Sequence, residues 1–168
     1  MRKLLSFAFM SDFMREMRRG EEAEVERLLN AAFPNDGEAR LVHRLRKAGD
    51  IAGESVVALD GEIVGYLALS SFQRPKGWLC LAPVAVHPDH QGQGIGRRMC
   101  GMVSEWARIA RQRVVVLGEV GFYERAGFSA VKAARLRSPY PIEHTLLAGP
   151  DEDAQERELI YPKAFSAL

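Results

Sequence analysis

The chain has 168 residues, 47% of them hydrophobic, enough for one domain with a sizeable core. With 27% charged residues and a formal net charge of +1, it has neither the basic excess of a nucleic-acid binder nor the acidic bias of a solvating tail. No apolar run approaches the ~20 residues that span a bilayer. Neither a nucleic acid nor a membrane is therefore expected as a partner.

The two cysteines, Cys80 and Cys100, form no CxxC pair, and no His/Cys cluster has metal-ligand spacing, so no metal is expected. Both lie in apolar stretches and read as buried thiols outside any disulfide, which fits a reducing, cytoplasmic setting.

Residues 1–13 read as a loose N-terminal extension. Arg2 and Lys3 before the apolar residues 4–10 resemble a secretory signal faintly, but the apolar part is short, no A-x-A site follows and Ser11-Asp12 interrupts it. Met10 or Met14 is an alternative start. Residues 14–18 are expected to form a short strand. Glu21 and Glu22 then open a helical pattern of Val25, Leu28, Leu29, Ala32 and Phe33, with the acids at the positive helix end. Pro34-Asn35-Asp36-Gly37 breaks it. A second helix is expected over 38–48, with Leu41, Val42 and Leu45 on one face and Gly49 and Gly53 bracketing its exit.

Residues 55–59 and 63–71 flank Asp60-Gly61 as a β-hairpin, because such a pair supplies the positive φ angles of a tight turn. Residues 79–86 form a nearly continuous apolar strand, buried on both faces. Pro83 inside it cannot donate to a ladder, which predicts a bulge or a splayed strand. A polar turn over 88–93 leads into a helix over 94–110, with Ile95, Met99, Met102, Val103, Trp106 and Ile109 as its apolar stripe. A β run over 113–117, a short helix over 120–126 closed by Gly127, a strand over 128–132, a last strand over 144–148 and a polar loop over 149–158 complete the chain. Helices and strands alternate without a linker or repeat, so the class is α/β or α+β with a largely antiparallel sheet.

The informative stretch is LAPVAVHPDHQGQGIGRR, residues 81–98. A buried strand ends at Val86, a turn follows, and a helix begins at the last of three alternating glycines, Gly92, Gly94 and Gly96. Glycine permits backbone angles and close approaches that other residues resist. The first N–H groups of a helix have no intrahelical partner and sit at its positive end, so this turn is built to hold a phosphate group. Arg97 and Arg98 add positive charge. No Lys-Ser or Lys-Thr follows, as a P-loop requires, and the Rossmann pattern G-x-G-x-x-G fails because Arg97 occupies its last position. What remains is Q-x-x-G-x-G, filled by Gln91, Gly94 and Gly96.

This stretch resembles the signature of the GNAT acetyltransferase superfamily, [QR]-x-x-G-x-[GA] after a β-strand, here preceded by Val86-His87-Pro88. A second segment, Phe122-Tyr123-Glu124-Arg125-Ala126-Gly127-Phe128, is similar to the family's F-Y-x-[KR]-x-G-F. The resemblance covers about residues 14–132. Val115-Val116-Leu117-Gly118, Ser138-Pro139-Tyr140-Pro141 and Tyr161-Pro162-Lys163-Ala164-Phe165 further resemble a YhbS-like subgroup, although Gly118-Glu119-Val120 stands where that subgroup usually has Gly-Asp-Pro.

The resemblance implies a single GNAT domain over 14–168. Its mostly antiparallel twisted sheet would have about six or seven strands, splayed at the fourth and flanked by about four helices. It implies acetyl-CoA as co-substrate. The backbone of Val84, Ala85 and Val86 would bind the pantetheine arm, and the turn Gln91, Gly92, Gln93, Gly94, Ile95, Gly96 and Arg97 would cradle the pyrophosphate. It implies that Tyr123 protonates the departing thiolate. The chemistry agrees, since a tyrosine of pKa ~10 stays protonated at neutral pH while a thiol ionises near ~8.5. A backbone N–H near Val84 is expected to steady the oxyanion. A base or a water chain must take up the amine's proton; Glu119, just past a strand end, is the first candidate for that base, with Glu38, His87 and Glu143 behind it.

The expected function is N-acetyl transfer to the primary amine of a small molecule or peptide by direct attack. The alternatives are a non-catalytic acyl-CoA sensor, or an acyltransferase using a longer acyl-CoA or an acyl carrier protein. The family suggests a monomer or homodimer.

Overall fold

Asp60 and Gly61 both have positive φ, 51° and 81°, as a tight primed turn requires, and they join β2 (Ile51–Leu59) to β3 (Glu62–Ser71) with Leu59 opposite Glu62 and Val56 opposite Tyr66. The coordinates are those of a computed structural model and describe residues 12–167, so all but the last two residues of the expected extension lie outside the described residues. β2 begins at Ile51, earlier than the expected 55. Gly53, expected to bracket the helix exit, lies inside the strand, where the register shifts between Ile51 and Gly53. A glycine at such a bulge tolerates the extra residue that hid the strand's start from its sequence.

The chain forms two compact units. The first comprises residues 12–70, 82–96 and 163–167. Here β1 (Arg15–Glu16) pairs antiparallel with β2. Helix α1 (Glu22–Ala32) buries Val25, Leu28 and Leu29 on one stripe, and α2 (Gly37–Ala48) buries Leu41, Val42 and Leu45. Gly49, at φ 75°, ends α2 with its N–H donating to Arg46 O. The apolar faces meet in a core of Val25, Leu28, Leu29, Val42, Val56, Ile63, Tyr66, Ala68 and Ala85. The buried Tyr66 hydroxyl donates to Glu54 Oε1 at 2.6 Å, and Arg46 Nη2 donates to the same oxygen at 2.7 Å.

The second unit comprises residues 71–81 and 97–162. β5 (Val114–Leu117) pairs parallel with β4 (Leu79–Val86), Leu79 opposite Val114 and Cys80 opposite Val115. On its other side β5 pairs antiparallel with β6 (Thr145–Ala148) through to Leu117 opposite Thr145. Pro83, which has no N–H to donate, lies beyond the paired start of β4. The strand order is β1-β2-β3-β4-β5-β6 in one mixed sheet.

Helix α3 (Ile95–Ala110) buries Met99, Cys100, Val103, Trp106 and Ala107, whereas Ile109, expected on the stripe, is 63% exposed. A 3.6-residue period carries the buried face from Val103 to Ala107, which leaves Ile109 on the far side. α4 (Val120–Arg125) and α5 (Ala130–Ala133) both contact β6. α5 replaces the strand expected over 128–132. Ser129 makes one bridge to Leu147, and its Oγ then accepts from Lys132 N at 3.1 Å and caps a helical turn. The serine cap and the alanines around Val131 outweigh the short β pattern. Five α-helices are thus present among the described residues, one more than expected. The polar segment after Gly149 is a loop as expected, and Arg113 grips Glu152 with two bonds of 2.8 Å.

Candidate active site

In the first unit, β4 ends in a turn held by three kinds of bond. His87 N donates to Val64 O at 2.8 Å, which ties the strand end to β3. His87 Nδ1 accepts from Asp89 N and starts a 3-10 turn over Pro88–His90. Gln91 Nε2 donates to Val86 O at 2.9 Å. The first motif residue therefore braces the strand end with its side chain, and Val86 O already accepts a bond. Val84 and Val86 are half-buried while Ala85 between them is buried, as a strand's alternation requires.

Residues Gln91, Gly92, Gln93 and Gly94 are exposed. Gly92 and Gly94 have φ of 79° and 83°, and a Cβ at either would meet nothing within 4 Å. The glycines are needed for backbone angle, and open space lies over them. Alternate positive φ values curl successive N–H groups toward one side, the geometry that holds anions. The buried Ile95 anchors the first residue of α3 in the core. Gly96 is half-buried and Arg97 exposed. An open turn with left-handed glycines at a helix N-terminus fits a diphosphate.

In the second unit, Glu119 is the N-cap of α4. Its carboxylate accepts from Gly121 N at 3.1 Å and from Phe122 N through a very short bond. Both oxygens of the expected base are thus committed to the helix that carries Tyr123. The Tyr123 ring meets Phe122 and Phe128 edge-on, at centroid distances of 4.9 and 5.8 Å. Its main-chain carbonyl accepts from Ala126 N and Phe128 N. Ser104 Oγ, on α3, donates to Ala126 O at 2.5 Å, and a Cβ at Gly127 would fall 2.5 Å from that same Oγ, so Gly127 is required by space as well as by its φ of 100°.

Burial pushes the Tyr123 phenol well above its ordinary value, and the neighbouring Cys100 adds to the shift. The Cys100 thiol is itself pushed up to about 12 by burial. Both stay protonated at neutral pH, so the Tyr123 phenol carries a proton that it could donate.

The weaker base candidates scatter. Glu38 lies in the first turn of α2, its Oε1 buried with no hydrogen-bond partner among the described residues. The His87 ring serves its own turn, and Glu143 is exposed in a 3-10 turn over Ile142–His144. Trp78 and Trp106 are buried, as expected of packing residues. Tyr140 packs edge-on against Tyr161 at 4.8 Å. Three features escaped the sequence: the Gln91 side-chain brace, the Cys100 thiol beside Tyr123, and the contact of Gly118 with the Tyr123 ring. The last had a signal, a glycine ending a β run five positions before the tyrosine.

A family model for the acetyltransferase (GNAT) domain matches residues 52–130. The uncharacterized N-acetyltransferase YhbS of Escherichia coli strain K12 is 33% identical over 125 residues, covering 70% of this chain and 73% of that protein. The crystal structure of E. coli YhbS in complex with CoA superposes with a TM-score of 0.77 at 25% identity, covering 91% of each chain. A GNAT family acetyltransferase from Brucella melitensis in complex with acetyl-CoA gives a TM-score of 0.75 at 29% identity over 90% of this chain and 96% of the other. The L-amino acid N-acyltransferase MnaT of E. coli K12 is 31% identical over 97 residues, covering 54% of this chain and 56% of that protein. The signature turn, the capped tyrosine helix, the strand order and these likenesses agree: the chain belongs to the GNAT N-acetyltransferase superfamily.

Proposed function

We propose that this protein is an acetyl-CoA-dependent N-acetyltransferase acting on the primary amine of a small molecule or peptide by direct attack. The observation that carries the reading is the open turn at the start of α3, where Gly92 and Gly94 adopt left-handed angles with unfilled space over them. Main-chain N–H groups of residues 92–97 bind the diphosphate there, and the exposed Arg97 adds its charge. The β4 backbone at Val84, Ala85 and Val86 receives the pantetheine amides, with Val86 O also accepting from Gln91 Nε2. The neutral amine attacks the thioester carbonyl carbon of acetyl-CoA, and the C–S bond breaks as the C–N bond forms. Tyr123 donates the proton that the departing sulfur takes up, and the amine's surplus proton returns through solvent to restore the phenol. Glu119 serves this step through the helix it caps. An amine acceptor is supported by the family and by the amino-acid acyltransferase MnaT. Glu38 Oε1, buried with no hydrogen-bond partner among the described residues, is suited to receive a polar group of the acceptor.

Two measurements test the reading. Calorimetry with coenzyme A is expected to give one site, with affinity falling as salt rises because the ligand is anionic. Free-thiol release from acetyl-CoA against a panel of amines is expected to give turnover with at least one. Binding without turnover across amines and acyl chain lengths would replace the enzyme with a sensor, and no binding would remove both.

A further inference from the structure

Gly118, between β5 and α4, differs from the glycines of the cofactor turn. Its φ is not in the left-handed region, so backbone angle does not call for glycine there. Space excludes one. A Cβ at Gly118 would lie 2.5 Å from Tyr123 Cε2, 3.2 Å from Cδ2 and 3.5 Å from Cζ. Neither partner is at liberty to retreat. Gly118 N donates to His144 O at 2.9 Å, just ahead of β6, and the preceding Leu117 is registered with Thr145. The Tyr123 ring is flanked edge-on by Phe122 and Phe128, and the helix beneath it is fixed by the Glu119 cap. A ring wedged on two sides does not absorb an overlap of this size by a rotamer change.

We propose that Gly118 is a positioning residue for acetyl transfer: its missing side chain lets the Tyr123 ring rest against the β5–α4 turn and so fixes where the phenol oxygen stands. This rests on the reading of Tyr123 as proton donor. A displacement of an ångström at a proton donor lowers turnover steeply while leaving distant binding intact. Gly92, Gly94 and Gly96 of the diphosphate turn belong to the other unit, so coenzyme A affinity is the internal control.

The test is a pair of double-mutant cycles on the full chain. Gly118→Ala is expected to lower kcat, read as thiol release from acetyl-CoA with the best amine of the panel, by roughly tenfold or more, with the Kd for coenzyme A within about twofold of wild type. In a Tyr123→Phe background, which keeps the ring and lacks the hydroxyl, Gly118→Ala is expected to leave the residual kcat unchanged. An equal loss in both backgrounds means that Gly118 acts without the phenol and overturns the proposal, as does wild-type kcat in Gly118→Ala. Wild-type kcat in Tyr123→Phe sinks the proton-donor reading and the positioning role with it. The stability cycle is independent of turnover: Gly118→Ala is expected to lose several degrees of Tm, and to lose none when combined with Tyr123→Ala, which empties the contested space. Where Gly118→Ala alone does not fold, recovery of folding by Tyr123→Ala supports the contact, and its failure to recover overturns it.

Discussion

Tyr123 and Glu119 are four positions apart and do different work. The phenol is held by two aromatic edges and a glycine, and burial keeps it protonated far above neutral pH. Tyr123→Phe is expected to reduce kcat by about a hundredfold with coenzyme A affinity retained, the size associated with losing a general acid. A kcat within a few-fold of wild type would remove Tyr123 from the chemistry. Glu119 separates its two readings by a different substitution. Serine is a good N-cap but no base, so Glu119→Ser is expected to hold Tm and kcat close to wild type, whereas Glu119→Ala loses about 1 kcal/mol of stability. A collapse of kcat in Glu119→Ser at unchanged Tm would reassign the carboxylate as the base.

At the level of elements, the β4–turn–α3 unit carries the cofactor reading. Its strand end is braced by Gln91 and tied to β3 through His87, its helix start is anchored by Ile95, and only the curve between them is open. Because a Cβ at Gly94 meets nothing, Gly94→Ala tests backbone angle without a clash. Holding alanine at a φ near 83° costs about 1–2 kcal/mol, and relaxation would turn the N–H groups away from the anion. Coenzyme A affinity is expected to fall roughly tenfold by calorimetry, with Tm lowered by only a few degrees. Unchanged affinity would mean that the diphosphate is held elsewhere. α5 shows the opposite lesson: a four-residue element is decided by a single cap, and Ser129 provides one where β-like residues point the other way.

For the molecule as a whole, acids shielded from water set an alkaline limit. Cys100 is pushed up to about 12, and Tyr66, Tyr123 and Tyr161 are all raised above their ordinary values by burial. In the unfolded chain the thiol releases its proton near 9 and the phenols near 10. Above about pH 9 the native state therefore binds more protons than the unfolded state, and stability falls as pH rises. Tm is expected to be level from about pH 7 to 8.5 and to fall progressively toward pH 11, less steeply in Cys100→Ala. A Tm that holds or rises over that window would show that these groups titrate normally in the fold.

Much of this was legible in the sequence because it is encoded within a few residues. Asp60-Gly61 specifies its turn, Gly49 its helix end, and the strand–Gln–Gly–Gly run its left-handed curve before α3, since each depends on which φ angles the local side chains permit. Contacts do not follow that rule. Gly118 and Tyr123 are five positions apart, yet only the angle between β5 and α4, set by the Gly118–His144 bond to a distant segment, decides that glycine and ring touch. Glu119 is a plausible base by position and a helix cap by geometry. The sequence by itself determined the family and the fold class, and it marked the open glycine turn before α3. The tertiary structure alone decided which polar groups are already spent on the fold and which remain for chemistry, because hydrogen-bond partners and packing neighbours come from parts of the chain that no local pattern brings together.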